Sequence, residues 1–141
     1  MGHLRLRRVG EAHLFSAPVR ISLLSSPSSG SEARLLLDTG ASTVFLKEEL
    51  VESLGGLAGE PRYRVGGLTG HAALASVPDV KIVFGVQEDD GAIRLPRVPV
   101  LPKPSQLPVP ADGVLGAHAL RLMRATVTID YETELGTLDW P

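Results

Sequence analysis

The residues best suited to chemistry are Asp38, Thr39 and Gly40, which follow the apolar run 35–37. A carboxylate at the end of a buried strand is partly desolvated, which disfavours its charged form and suits proton transfer. Thr39 offers a hydroxyl that can hold the turn, Gly40 permits close backbone approach, and Ser42 offers a second hydroxyl within reach of the carboxylate. The pattern therefore predicts an acid–base carboxylate at Asp38.

A single carboxylate is a poor catalyst of peptide hydrolysis. That chemistry uses two carboxyls that share one proton: one activates the water while the other protonates the carbonyl oxygen. The sequence contains no second Asp-Thr-Gly or Asp-Ser-Gly, and neither Asp112-Gly113 nor Asp130-Tyr131 matches. The simplest source of the second carboxyl is Asp38 of another copy, across a two-fold axis. A different partner chain with its own Asp-Thr-Gly would serve equally.

Two other interpretations of the Asp-Thr-Gly tripeptide compete with the catalytic one. Asp, Thr and Gly are all common in ordinary turns. An aspartyl-phosphate site also places Asp before Thr, but no phosphate-cradling loop or partner lysine motif accompanies it here. The apolar run before the tripeptide, Ala41-Ser42 after it and a second apolar run at 43–46 favour a catalytic loop.

Strand patterns dominate the rest of the chain. The spacing of Leu46, Leu50 and Leu54 predicts a helix over 47–54, and a second is predicted over 117–123. Residues 25–31 predict a polar loop between two hairpin strands, and Pro96–Pro110 predicts an extended loop or edge strand because proline cannot donate to a sheet. Alternation and short apolar runs predict strands at 4–9, 19–23, 34–37, 43–46, 63–65, 72–75, 80–84, 93–100, 113–116, 126–131 and 135–138.

Three segments together resemble the retropepsin-like aspartic peptidases. Leu36-Leu37-Asp38-Thr39-Gly40-Ala41-Ser42 resembles their active-site motif. Val65-Gly66-Gly67-Leu68-Thr69-Gly70 resembles the tip of their flap, and Val114-Leu115-Gly116 resembles the apolar-apolar-Gly strand beside the catalytic loop. Viral members commonly have Asp where Ser42 stands and Arg where Ala117 stands. The resemblance is therefore nearer to bacterial and cellular relatives than to viral proteases.

The resemblance implies an all-β fold, a small partly closed barrel of the acid-protease type with one or two short helices. It implies that residues 1–141 form one domain, half of a homodimeric active site, with aspartic endopeptidase activity. Asp38 would be the catalytic carboxylate, Thr39 would hydrogen-bond across the dimer, and Gly40 would let the two loops pack closely. Gly66 and Gly67 would donate backbone N–H groups to an extended peptide or protein substrate. The alternative is a non-catalytic dimer of the same fold that binds extended peptides.

Composition excludes several other classes of function. The formal net charge is −2, so no overall basic excess points to nucleic acid, and the cluster Arg5, Arg7 and Arg8 is interpreted as a solvated strand edge. The chain has no cysteine, and its four histidines lack metal-ligand spacing, so neither a metal nor a cofactor is expected. No apolar run reaches about 18 residues, and no signal peptide is evident, so no membrane span is expected and we expect a cytoplasmic protein.

Overall fold

The computed structural model describes residues 1–10, 13–67, 70–85 and 91–141. Within these ranges the chain forms ten strands and two short helices. The elements in chain order are β1 (Gly2–Val9), β2 (Leu14–Leu23), β3 (Ser26–Leu37), β4 (Phe45–Lys47), α1 (Glu48–Ser53), β5 (Gly59–Gly67), β6 (Gly70–Phe84), β7 (Ala92–Leu101), β8 (Gly113–Leu115), α2 (Ala117–Met123), β9 (Thr126–Asp130) and β10 (Leu135–Trp140).

Six of these strands close into a barrel. Strands β6, β7, β4, β8, β3 and β2 are hydrogen-bonded in this order, and the pairing of β2 with β6 completes the ring. The short strand β8 lies between β3, which runs parallel to it, and β4, which runs antiparallel. The predicted all-β class, a small barrel with two short helices, is confirmed.

The barrel is filled by aliphatic side chains, because residues on alternate positions of each strand face inward. Ile21, Leu35, Ile82 and Leu115 are fully buried, each from a different strand. Burying a side chain of this size stabilises the fold by roughly 1.5–3 kcal/mol relative to leaving it in water.

Both predicted helices are present. Leu46, Leu50 and Leu54 form a buried stripe, and α1 spans Glu48–Ser53 inside the predicted range 47–54. Helix α2 has the predicted bounds, Ala117–Met123. No helix in the described ranges has the length and apolar character needed to cross a membrane.

A second, three-stranded sheet is attached to the barrel through β1. The first half of β1, Gly2–Leu6, pairs with β10, whereas Arg7–Val9 pairs with β2. Trp140 at the end of β10 is only 7% exposed, and its ring packs edge-on against Phe84 at a centroid distance of 6.2 Å. A Cβ on Gly2 would lie 1.9 Å from the Trp140 ring, so this glycine leaves the space that the indole fills.

The predicted polar loop over 25–31 is wrong. Strand β3 begins at Ser26 and pairs with β2 from Leu23 opposite Ser26 onward, with a register shift between Ile21 and Leu23. Ser26 pairs with Leu23 and Ser31 with Ile21, so pairing with β2 at both ends of the polar stretch overrides its turn-forming composition. The predicted hairpin is nevertheless present, with its turn reduced to Leu24 and Ser25.

The sequence also predicts two strands, 72–75 and 80–84, where the structure has one. Strand β6 runs unbroken for 15 residues from Gly70 to Phe84. Its first part pairs with β5 and its last part with β2, so a single strand belongs both to the β5–β6 hairpin and to the barrel wall.

The proline-rich stretch agrees with the prediction only in part: residues 102–111 are irregular, but residues 96–101 belong to β7, which lies between β6 and β4 rather than at an edge. Pro96 and Pro99 lie in β7, which pairs with β6 along one side. On the side that faces β4, the described pairing of β7 is confined to Val100 and Leu101. Pro96 and Pro99 lie before this pairing, so on that side they need no N–H for a ladder hydrogen bond. From Pro102 to Ala111 the chain is irregular, and we call this segment the strap.

Candidate active site

We call residues 38–44, between the end of β3 and the start of β4, the Asp38 loop. The N–H of Asp38 donates to the carbonyl oxygen of Leu115 at 3.1 Å, and the N–H of Ala41 donates to the carbonyl of Asp38 at 3.1 Å. The N–H of Gly40 donates to Oδ1 of Asp38 at 3.0 Å. The loop therefore orients its own carboxylate with a backbone donor to Oδ1, and no donor from the described residues reaches the second carboxylate oxygen.

The segment 114–116 lies directly against this loop. Val114 pairs with Leu36 on one side and with Phe45 on the other, so β8 links the two strands that flank the loop. The N–H of Ala117 donates to the carbonyl of Ala41 at 2.8 Å, and that of His118 donates to Ser42 at 3.0 Å. The first residues of α2 thereby hold the second half of the loop.

Asp38, Thr39 and Gly40 are all exposed in the single chain. The partial burial expected for Asp38 is therefore absent here, because the loop lies at the surface of the barrel rather than inside it. Ser42 joins the loop through its carbonyl oxygen, and within the described ranges its hydroxyl makes no hydrogen bond to the Asp38 carboxylate. The role of the Ser42 hydroxyl in supporting the active-site loop therefore stays a prediction.

The glycine-rich hairpin is formed by β5 and β6. Val65 pairs with Ala72, Gly66 with His71, and Gly67 with Gly70. Leu68 and Thr69, which the sequence places at the tip, lie outside the described residues. Among the described strands β5 pairs only with β6, so the backbone ladder joins the hairpin to the barrel through β6 alone.

Sequence reasoning missed the attachment of the strap to α1. The backbone N–H of Lys103 donates to Glu48 and its Nζ pairs with Glu52, both at 2.9 Å. The hydroxyl of Ser105 donates to Glu49 at 2.7 Å, and this bond holds the pKa of the Glu49 carboxyl below its usual 4.5. The strap residues and their partners in α1 lie about fifty positions apart in the chain, so no local sequence pattern predicts these contacts.

Asp112 fixes the other end of the strap. Its carboxylate accepts a hydrogen bond from the N–H of Arg34 at 2.8 Å and pairs with Nζ of Lys47 at 3.2 Å. Its backbone donates to Arg34 at 2.8 Å and accepts from Lys47 at 3.0 Å. One residue thus ties β3 to β4 just before β8 begins. The sequence shows only an Asp-Gly pair, which is typical of a turn.

Metal chemistry has no cluster of ligands to support it in the part of the chain that the structure describes. No three His, Cys, Asp or Glu residues there come together in a way that could hold an ion. The chemistry that the Asp38 loop supports on its own is proton transfer by a carboxylate in a supported backbone turn.

Comparisons with known proteins agree with this geometry. The family model described as aspartyl protease matches residues 19–119, a range that includes the Asp38 loop, the glycine-rich hairpin and β8. No curated protein sequence matches the chain.

Two solved structures are similar in fold. A retropepsin-like aspartic protease from Rickettsia conorii superposes with a TM-score of 0.58 at 18% identity, covering 99% of this chain and 90% of that one. The EIAV protease complexed with the inhibitor HBY-793 superposes with a TM-score of 0.51 at 24% identity, covering 81% of this chain and 91% of that one. The bacterial structure has the higher TM-score of the two, as the residues at 42 and 117 predict. The fold is that of the retropepsins, and because the family match spans well over half of the sequence, the chain belongs to the aspartyl protease family.

Proposed function

We propose that the chain is an aspartic endopeptidase that works as a homodimer, with water activated between two Asp38 carboxyls. One observation carries the proposal: the loop is fully supported within the chain, yet its carboxylate is single and exposed. Peptide hydrolysis by this chemistry needs a second carboxyl beside Asp38, and the exposed position of the loop leaves room for another loop to face it. A second copy of the same chain supplies one by symmetry.

The proposed mechanism divides two roles between identical residues. In the dimer one Asp38 is ionised and takes a proton from the attacking water, while the other is protonated and donates to the carbonyl oxygen. The N–H of Gly40 holds Oδ1 of each carboxylate, so Oδ2 is the atom that faces water and substrate. Contact between the loops would desolvate both carboxyls, so that they share one proton. In the same dimer, Thr39 is proposed to hydrogen-bond across the two-fold axis, and Gly40 to let the loops approach.

The substrate in this proposal is an extended segment of a peptide or protein. The hairpin of β5 and β6 would cover it, with N–H groups of Gly66 and Gly67 pairing with the substrate backbone as an added strand. Gly113 and Gly116 allow β8 to pack closely against the loop and β4, because a Cβ there would lie 2.2 Å from the carbonyl oxygen of Phe45 and 2.1 Å from that of Thr43, respectively. We also propose that residues 1–141 form a single domain that supplies half of the active site. The protein is proposed to act in the cytoplasm.

The test is cleavage of a mixed peptide library over a pH series, by the native chain and by Asp38→Asn. Sedimentation first establishes a concentration at which both are dimeric. Asp79→Asn is the matched control, because Asp79 is also exposed and its positive φ of 52° suits asparagine. We expect cleavage by the native chain and the control, strongest below neutral pH, and none by Asp38→Asn.

Two outcomes would overturn the proposal. Cleavage by Asp38→Asn at the native rate would remove Asp38 from the chemistry. A stable native dimer that captures library peptides but never cuts them would indicate the peptide-binding alternative instead.

A further inference from the structure

The barrel surface opens into a cleft beside Pro18. Strand β1 pairs with β10 over its first residues and with β2 only from Arg7 to Val9, opposite Ser16 to Leu14. Strand β6 pairs with β2 only from Val19 onward. The stretch of β2 around Pro18 therefore has a partner strand on one side only, and proline has no N–H to leave unsatisfied there. The resulting cleft has a volume of about 660 Å³.

Three arginines line this cleft. Arg7, Arg20 and Arg34 come from three adjacent strands, all three are exposed, and none forms an ion pair with a carboxylate of the described residues. The guanidinium of Arg20 donates to the carbonyl oxygen of Gly30 at 3.3 Å. Glu32, the cross-strand neighbour of Arg20, and Asp112 also line the cleft, so three arginines face two carboxylates there and the lining carries a net positive charge, although the formal net charge of the protein is −2.

The cleft continues past Arg34 into a second one. Arg34 and Asp112 line both, and the second, of about 830 Å³, is bounded by Lys47 and by the apolar side chains Leu107 and Val109 of the strap. We call the two clefts together the basic groove. The basic groove offers arginine side chains at one end and apolar contacts at the other. This arrangement suits an extended polypeptide that carries acidic side chains and apolar ones.

We propose that the basic groove binds an acidic segment of a polypeptide. Charge complementarity supports this occupant, because the arginines offer planar donors that match carboxylates. A nucleic acid fits less well: the carboxylates of Glu32 and Asp112 interrupt the positive surface, and no aromatic side chain lines the groove within the described residues. The groove thereby provides a binding function separate from the Asp38 loop.

The position of the groove makes this site independent of the chemistry proposed for Asp38. Arg34 precedes Asp38 by four residues on β3, which at strand geometry separates them by about 13 Å along the strand. Binding at the groove can therefore be measured on Asp38→Asn protein, where cleavage does not interfere, and the result holds whether or not the chain is a peptidase.

The experiment is fluorescence anisotropy with a short labelled peptide of alternating Glu and Ser, beside the same peptide with Gln for Glu. The variant Arg7→Gln/Arg34→Gln removes two groove charges with little change of shape. Arg121→Gln/Arg124→Asn removes two exposed charges at the end of α2 and is the control, with Asn chosen at 124 because it tolerates the positive φ of 55° there. Circular dichroism confirms that both variants fold. We expect the acidic peptide to bind better than the Gln peptide, to weaken as salt rises, and to lose about tenfold in affinity only in the groove variant.

Three results would overturn the proposal. These are equal binding of the two peptides, the same loss of affinity in both double variants, and tighter binding of a single-stranded oligonucleotide than of the acidic peptide. The last result would identify the groove as a site for nucleic acid.

Discussion

A Cβ atom on Gly116 would lie 2.1 Å from the carbonyl oxygen of Thr43. The carbonyl of Ala41 would be 2.8 Å from the same atom, so both obstacles are backbone atoms of the Asp38 loop. Strand β8 can support this loop only because residue 116 has no side chain.

The first prediction follows from this contact. Gly116→Ala should lower the free energy of unfolding by about 3 kcal/mol, because fixed backbone atoms must move to admit the methyl group. Gly59→Ala is the control, since nothing lies within 4 Å of a Cβ there. Urea denaturation at one protein concentration measures both, and equal stability of the two variants would contradict the contact.

Asp112 should prove to be a structural carboxylate. Asp112→Ala leaves the N–H of Arg34 and the ammonium of Lys47 without their acceptor, and should cost about 2 kcal/mol. Asp112→Asn keeps an acceptor for the N–H and should cost about half as much. Glu32→Ala, at an exposed site, should change the denaturation midpoint little. Equal losses in the Ala and Asn variants would show that the hydrogen bond contributes nothing.

The contact of the strap with α1 should depend on pH. The hydrogen bond from Ser105 lowers the pKa of Glu49 in the folded chain, so its stabilising effect is present above the ordinary value of 4.5 and is lost as pH falls through the lower folded value. Ser105→Ala should raise the pKa of Glu49 in a carboxyl NMR titration. Asp130, whose pKa is lowered by the N–H groups of Thr133 and Glu132, should titrate unchanged in the same spectra. An unaltered Glu49 titration would disprove the bond.

Trp140 should anchor the three-stranded sheet of β1, β10 and β9 to the barrel. Trp140→Ala removes a buried indole that contacts Phe84, and should lower the free energy of unfolding by about 4 kcal/mol. Trp140→Phe keeps a ring in the site and should cost clearly less. Thermal unfolding followed by circular dichroism ranks the variants, and a Phe variant as unstable as the Ala variant would argue against ring packing as the cause.

Much of the fold was predictable because periodicity reports burial. The stripe of Leu46, Leu50 and Leu54 locates α1, and the alternation over 126–131 locates β9. The start of β3 was not predictable, because residues 26–31 carry no apolar signal, and it is set by the pairing of Ser26 with Leu23 and of Ser31 with Ile21. The unbroken course of β6 was missed for a similar reason, since its two halves face different partners.

The candidate site divides in the same way. The Asp38 loop and the segment Val114–Gly116 are visible as local motifs, and the structure brings them together through hydrogen bonds. The part played by Asp112 and the attachment of the strap to α1 are not visible. They join residues that are distant along the chain, and each of these residues alone has the composition of an ordinary turn or solvated helix face.

The support of the Asp38 loop by β8 has a consequence for the timing of synthesis. Leu115, which accepts the hydrogen bond of Asp38, is added 77 positions after it. At ordinary elongation rates of 5–20 residues per second, a growing chain carries its Asp-Thr-Gly for roughly ten seconds before the residues that hold this loop are made. During that interval the N–H of Asp38 has no Leu115 carbonyl to which it can donate. The loop proposed to carry the chemistry therefore gains its support from β8 only after residue 115 has been made.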